Sequence, residues 1–188
     1  LIDLHSADIN EKITPLLFFP VDEIVDESVR QKAKAAAEKI SVPLRVASRA
    51  KNGLYSYAAI TGIPSLLLER GGMGVWSESE VSECVKNLKE LASHLSILDI
   101  PNTDSGKKTA QREFTKNVYD EACDSGLWFP LVHEGQKVKK GDVLGKLYTS
   151  QKVLIKEYTA EFDAEIMYFT LSLGVSKGDP LVAYGAES

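Results

Sequence analysis

Two polar side chains in this sequence stand at the end of short apolar runs. Leu1-Ile2-Asp3-Leu4 leads into His5, and Ser65-Leu66-Leu67-Leu68 leads into Glu69. Each run reads as a buried strand. Each polar residue therefore falls at a carboxyl end, where open α/β sheets gather their ligands. An imidazole is a proton carrier and metal ligand near neutral pH. A carboxylate ending a buried strand is costly unless it is paired, hydrogen-bonded or close to a metal. These are the residue types with which zinc hydrolases hold metal and move protons. The structural alternatives are a core-bonded histidine at position 5 and a surface ion pair between Glu69 and Arg70. The remaining candidates carry less. His94, near a helix end, and His133, in the turn before Glu134-Gly135, read as surface residues. Cys84 reads as an inert core thiol. With Cys123 as its only companion, it makes neither a disulfide framework nor a four-cysteine metal site. Lys51-Asn52-Gly53 reads as a turn, and Tyr55 and Tyr57 as packing residues.

The elements that must position these residues alternate between strand and helix over the first 105 residues. Strands are expected at 1–4, within 15–21, at 44–47 and at 65–68. A helix is expected over 27–40, with Val29, Ala33, Ala36, Ala37 and Ile40 on one face. A second, against the tyrosines, spans 53–60. The third opens with Ser77 and Glu80 as a capping box. It carries Val81, Cys84, Val85, Leu88, Leu91, Ala92 and Leu95 at helical spacing. Residues 71–74, Gly-Gly-Met-Gly, form a loop, and the polar run 101–108 reads as a linker.

Beyond the linker the pattern changes to short strands broken by glycine turns. Val138-Lys139-Lys140-Gly141-Asp142-Val143-Leu144 is echoed by Val175-Ser176-Lys177-Gly178-Asp179-Pro180-Leu181. Each Gly-Asp makes a tight turn that delivers the chain into a strand. Two such units indicate a small pseudo-symmetric β-barrel or sandwich. The expected division is an α/β domain over 1–105 and a β-rich domain over 106–188.

Composition sets the outer bounds. The 188 residues are 44% hydrophobic, enough for a real core, and the balance of 22 Lys+Arg against 27 Asp+Glu gives a net charge of −5. An acidic chain without clustered cations is a poor nucleic-acid partner. No apolar run is long enough to span a bilayer as a helix. The expectation is a globular protein of the cytoplasm, without nucleic-acid or membrane partners. An apolar strand that starts at the first residue suggests part of a longer polypeptide.

The order Asp3-Leu4-His5-Ser6, then Gly62-Ile63-Pro64-Ser65-Leu66-Leu67-Leu68-Glu69-Arg70-Gly71-Gly72, then a Gly-rich β module, resembles the succinylglutamate desuccinylase/aspartoacylase family of the zinc-carboxypeptidase superfamily. The resemblance implies the C-terminal portion of a zinc-dependent amidohydrolase, a partial carboxypeptidase-like α/β domain followed by a β domain. It implies His5 as the last of three zinc ligands and Glu69 as the general base. The implied substrates are N-acyl amino acids or related small amides. It makes Tyr148 and Tyr158 candidates for substrate contact. The family's other two ligands come from an upstream His-x-x-Glu motif, and its substrate-holding Asn-Arg pair also lies upstream. Neither motif occurs in this sequence. The expectation is therefore that this chain alone is inactive and holds no zinc.

The stretch 135–144 resembles the biotinyl/lipoyl carrier fold. The position where carriers present their modified lysine is Gln151, with Lys152 beside it, and neither usual flanking pattern is present. The competing function is thus a non-catalytic interaction or carrier-like module. The role expected of this domain is to cap the active site or to mediate contacts between copies.

Overall fold

The computed structural model describes residues 1–99 and 111–187. The expected linker at 101–108 and the expected division at 105/106 lie outside those residues. The described residues divide into two compact units. The first holds 1–6, 15–70, 76–99 and 111–114, and the second holds 7–14, 71–75 and 115–187.

The first unit is built on a five-stranded mixed sheet of β1 (Ile2–His5), β3 (Leu16–Pro20), β4 (Leu44–Ser48), β5 (Leu66–Glu69) and β6 (Arg112–Phe114), in the order β1-β5-β3-β4-β6. β1 and β5 run parallel, β3 runs antiparallel to β5, and β4 and β6 continue parallel to β3. Side chains alternate across a strand, so one face presents Ile2, Leu17, Phe19, Ala47, Leu66 and Leu68. These pack with Ala33, Ala36 and Ala37 of α1 (Glu27–Ala37) and with Cys84 and Leu91 of α3 (Glu78–His94). The apolar stripe expected on α1 is buried at every position, Ile40 included. Asp26 caps that helix by accepting the Ser28 N–H at 2.8 Å. α2 (Leu54–Ile60) packs against β1 and β5.

α3 departs from the sequence reading in two ways. Ser77 Oγ accepts the Glu80 N–H at 3.2 Å, but the Glu80 carboxylate turns to Arg70 Nε at 3.1 Å, so only half of the capping box forms. The apolar stripe is mostly not core: Val81, Val85 and Leu95 are exposed, while the fully buried residue of this helix is Asn87.

In the second unit β2 (Glu11–Ile13), β7 (Lys116–Glu121), β8 (Gly126–Pro130), β9 (Lys137–Val138), β10 (Val143–Tyr148), β11 (Leu154–Thr159), β12 (Ala164–Thr170), β13 (Gly174–Val175) and β14 (Pro180–Ala186) form two antiparallel sheets. Their orders are β11-β10-β8-β13 and β2-β12-β14-β7, with β9 also paired to β12. Trp128, Leu144, Leu147 and Tyr158 of one sheet share a core with Ile166, Phe169, Val182 and Tyr184 of the other.

The repeated turn is structural as well as sequential. Asp142 Oδ2 accepts the Lys139 N–H at 2.8 Å, and Asp179 Oδ2 accepts the Ser176 N–H at 2.7 Å. Gly141 and Gly178 both sit at φ 89°, where a β-carbon is disfavoured. Gly141 N–H donates to Ala160 O while Ala160 N–H donates to Asp142 O; Gly178 and Ala122 repeat the exchange with Asp179. β9 follows β8 and pairs with β12, while β13 follows β12 and pairs with β8. This reciprocal pairing is a two-fold relation between the halves. Among the described residues no helix is long and apolar enough to cross a membrane.

Candidate functional site

β1 and β5 place the two residues singled out from the sequence side by side. Their parallel register pairs Asp3 with Leu67 and His5 with Glu69, so both polar residues end neighbouring strands on the same face. His5 Nδ1 lies 3.8 Å from Glu69 Oε1, and His5 Nε2 lies 3.3 Å from Asp3 Oδ1. The imidazole is half exposed, whereas the side chains of Asp3 and Glu69 are 11% and 19% exposed. The cluster is a solvent-facing imidazole flanked by two mostly buried carboxylates. The ladder ends with the Arg70 N–H donating to His5 O at 3.2 Å, which ties the two strand ends together.

The alternation of side chains sends Arg70 to the opposite face. Its guanidinium donates to Glu80 Oε2 at 3.1 Å and to Asn87 Oδ1 at 3.3 Å on α3. The surface ion pair between Glu69 and Arg70, the alternative drawn from the sequence, is replaced by this arrangement. Asn87 donates in turn to Ser41 O at 3.2 Å and to Glu90 Oε2 at 3.2 Å. A buried polar network thus anchors the residue that follows Glu69.

Two further residues belong to the same face. Tyr55, read from the sequence as packing, is buried, and its hydroxyl meets Ser48 Oγ at 2.5 Å. Ser48 shares its sheet face with Leu67 and Asp3 through the registers of β4, β3 and β5. Burial pushes the Tyr55 phenol above its ordinary value; the Ser48 bond opposes this, and the negative charges of Glu69 and Asp3 add to it. A tyrosine at the start of a short helix gives no local signal of that environment. Asp3 is visible in the sequence only as a strand residue two positions before His5.

His94 ends α3 in the first unit. In the second unit, His133 Nδ1 is 2.9 Å from Glu134 O. Tyr148 stacks edge-on against Phe129. The Tyr158 hydroxyl is committed internally, donating to Glu121 O and accepting from Cys123 N–H, both at 3.0 Å.

The glycines after Glu69 have a specific use within the second unit. A β-carbon on Gly72 would stand 2.5 Å from Glu11 O, and Met73 N–H donates to Asp8 O and Glu11 O at 3.1 Å. The segment that follows Glu69 is thereby locked against the segment that follows Ser6.

A catalytic zinc takes three protein ligands, and its ligating imidazoles are held from behind by an acceptor. His5 with Asp3 fits one such position. Among the described residues no group of three or more His, Cys, Asp or Glu side chains is arranged to hold a metal ion. The residues present therefore fit one ligand of a zinc, not a complete set.

No protein-family model and no curated protein matches the sequence. Solved structures do. The chain is similar to the product-bound ectoine utilization protein EutE (DoeB) from Ruegeria pomeroyi, at 20% identity and a TM-score of 0.81, covering 99% of this chain and 57% of that one. A succinylglutamate desuccinylase/aspartoacylase from Rhodobacter sphaeroides gives 22% identity and a TM-score of 0.80, covering 100% and 57%. An aspartoacylase family protein from Mesorhizobium loti gives 16% and 0.70, again covering 100% and 57%. These likenesses establish a shared mixed α/β fold. The chain spans little more than half the length of the structures it resembles.

Proposed function

We propose that this chain is part of a zinc-dependent amidohydrolase that cleaves N-acyl amino acids or related small amides. The observation that carries the proposal is the pairing of His5 with Glu69 at the carboxyl ends of adjacent parallel strands. The fold it shares with desuccinylase/aspartoacylase structures supports the same reading.

In this reading His5 supplies one of three zinc ligands, and the other two come from polypeptide outside these 188 residues. Bound zinc would polarise the scissile carbonyl and acidify its water. Glu69 accepts a proton on its carboxylate and delivers it to the leaving amine. Two rigid, hydrogen-bonded strands hold the imidazole and the carboxylate in fixed relation, which a pair of loops would not do. Asp3 lies beside His5, and Tyr55 meets Ser48 on the same face of the sheet. With one ligand of three, the 188-residue chain alone is inactive and retains no zinc.

We read the second unit as a biotinyl/lipoyl-like module with a structural role. Lys152, in the turn between β10 and β11, is not a carrier lysine in this account.

The test is turnover of N-acyl amino acids by a longer polypeptide carrying the missing ligands, beside its Glu69→Gln variant. The variant is expected to keep its zinc and lose several orders of magnitude in rate.

A further inference from the structure

We propose that Arg70 is a positioning residue for Glu69: gripped by α3, it clasps the end of β5 and keeps the carboxylate in register beside His5. The proposal rests on the reading of Glu69 as the general base.

Glu69 is the last residue of β5, and Gly71 and Gly72 follow at φ 79° and 146°. A strand end that runs into two such glycines opens easily, because their backbone freedom favours the open state. Arg70 stands between. Its N–H donates to His5 O at 3.2 Å, one bond beyond the pairing of His5 with Glu69. Its side chain is 10% exposed and leaves the sheet on the face opposite Glu69. There Nε donates to Glu80 Oε2 at 3.1 Å and Nη1 to Asn87 Oδ1 at 3.3 Å. The two acceptors lie two turns apart along one stripe of α3. The farther one is itself fixed, since Asn87 is fully buried and donates to Ser41 O and Glu90 Oε2.

A guanidinium removed from water is costly to unpair. A one-residue slip of β5 would carry Arg70 to the other face and break both bonds. Holding Arg70 on one face therefore holds Glu69 on the other, 3.8 Å from His5 Nδ1. Arg70 acts through the backbone it shares with Glu69, and its grip supplies the order that the two glycines withhold.

Amide hydrogen exchange on the 188-residue chain reads the clasp and needs no metal. In Arg70→Met the amide of residue 70, corrected for its intrinsic rate, is expected to exchange about tenfold faster or more, the size of a lost buried charged bond. Glu80→Ala, which loosens the grip without touching the strand, is expected to act in the same direction. The second measurement uses the longer polypeptide that carries the missing ligands. There Arg70→Met is expected to lower kcat by about tenfold or more at native zinc content and unchanged KM, because the base is misplaced. Arg70→Lys, a single charge that cannot span Glu80 and Asn87, is expected to recover only part of the loss.

A native exchange rate at residue 70 in folded Arg70→Met overturns the proposal; should that variant fail to fold, a native rate in Glu80→Ala does the same. Native kcat in the zinc-loaded Arg70→Met polypeptide also overturns it, reducing the clasp to a contribution to stability. A raised KM at native kcat overturns it by making Arg70 a substrate contact. Each of these leaves the hydrolase reading intact. Faster exchange beside a longer polypeptide that never binds zinc upholds Arg70's hold on the strand end and sinks the hydrolase reading.

Discussion

Replacing Asn87 by leucine probes the network that anchors the strand end beside Glu69. Asn87 is fully buried; its amide oxygen accepts from Arg70 Nη1, and its amide nitrogen donates to Ser41 O, Ser41 Oγ and Glu90 Oε2. Ser41 and Glu90 keep their own bonds to each other, at 2.7 and 2.6 Å. The groups left unsatisfied in Asn87→Leu are therefore Ser41 O and one arm of the Arg70 guanidinium, whose side chain is 10% exposed. Each costs about 1–3 kcal/mol, offset by roughly 1 kcal/mol from the added apolar burial. The net loss is about 1–5 kcal/mol, a fall in Tm of roughly 4 °C or more for a unit of about 100 residues. All three helices of the described residues lie in the first unit. Far-UV circular dichroism at the helix band, followed through thermal or urea unfolding, thus reports this unit. Arg70→Met removes the other end of the contact, so the double variant is expected to be more stable than additivity allows, by about 1 kcal/mol or more. An Asn87→Leu chain that melts within about 2 °C of the native one, or strict additivity in the cycle, refutes the network as the anchor.

Two predictions concern the second unit. A β-carbon on Gly145 would stand 2.1 Å from the nearest ring carbon of Trp128, which is 1% exposed and bonds Thr170 O through Nε1; Gly145→Ala is expected to destabilise by about 1–3 kcal/mol or more, read as an earlier urea midpoint in tryptophan fluorescence. Burial first, then the Cys123 side chain, pushes the Tyr158 phenol up to about 12. A folded-state value above the ordinary 10 means that the unfolded chain loses this proton first, so stability is intact below pH 10 and falls as pH rises toward about 12. Tyr158→Phe is expected to flatten that alkaline decline, and an equally steep decline in the variant would contradict the assignment.

The strand ends were legible because a short, mostly apolar run before a polar residue, Leu1-Ile2-Asp3-Leu4 before His5 and Leu66-Leu67-Leu68 before Glu69, makes a strong local pattern. That pattern located His5 and Glu69, and it made the core face of α1 readable residue by residue. The adjacency of β1 and β5 was not legible: neighbours in a sheet are chosen by long-range pairing, which no local spacing encodes. Arg70 illustrates the gap, since alternation alone sends it away from Glu69, but only the position of α3 shows what receives it. Asn87 was hidden because a polar residue among apolar ones reads as solvent-facing, and its burial depends on two partners distant in sequence, Ser41 and Arg70, as well as on Glu90 one turn along the helix. The stripe on α3 misled in the opposite direction, since periodicity reports an apolar face without reporting what covers it. The segments 7–14 and 71–75 were assigned by sequence continuity to the first domain, although their packing places them in the second unit. The repeated Val-x-Lys-Gly-Asp turn was readable because glycine at positive φ and a side-chain acceptor leave a fixed signature.

The central claim is that His5 and Glu69 form half of a zinc hydrolase centre. The most direct measurement is zinc content and N-acyl amino acid turnover for three samples side by side: the 188-residue chain, a longer polypeptide carrying the missing ligands, and the longer polypeptide with Glu69→Gln. The account predicts no zinc and no turnover in the first, stoichiometric zinc and turnover in the second, and zinc with turnover lowered by several orders of magnitude in the third. Stoichiometric zinc and hydrolysis in the 188-residue chain, or near-native turnover in the Glu69→Gln sample, would contradict it.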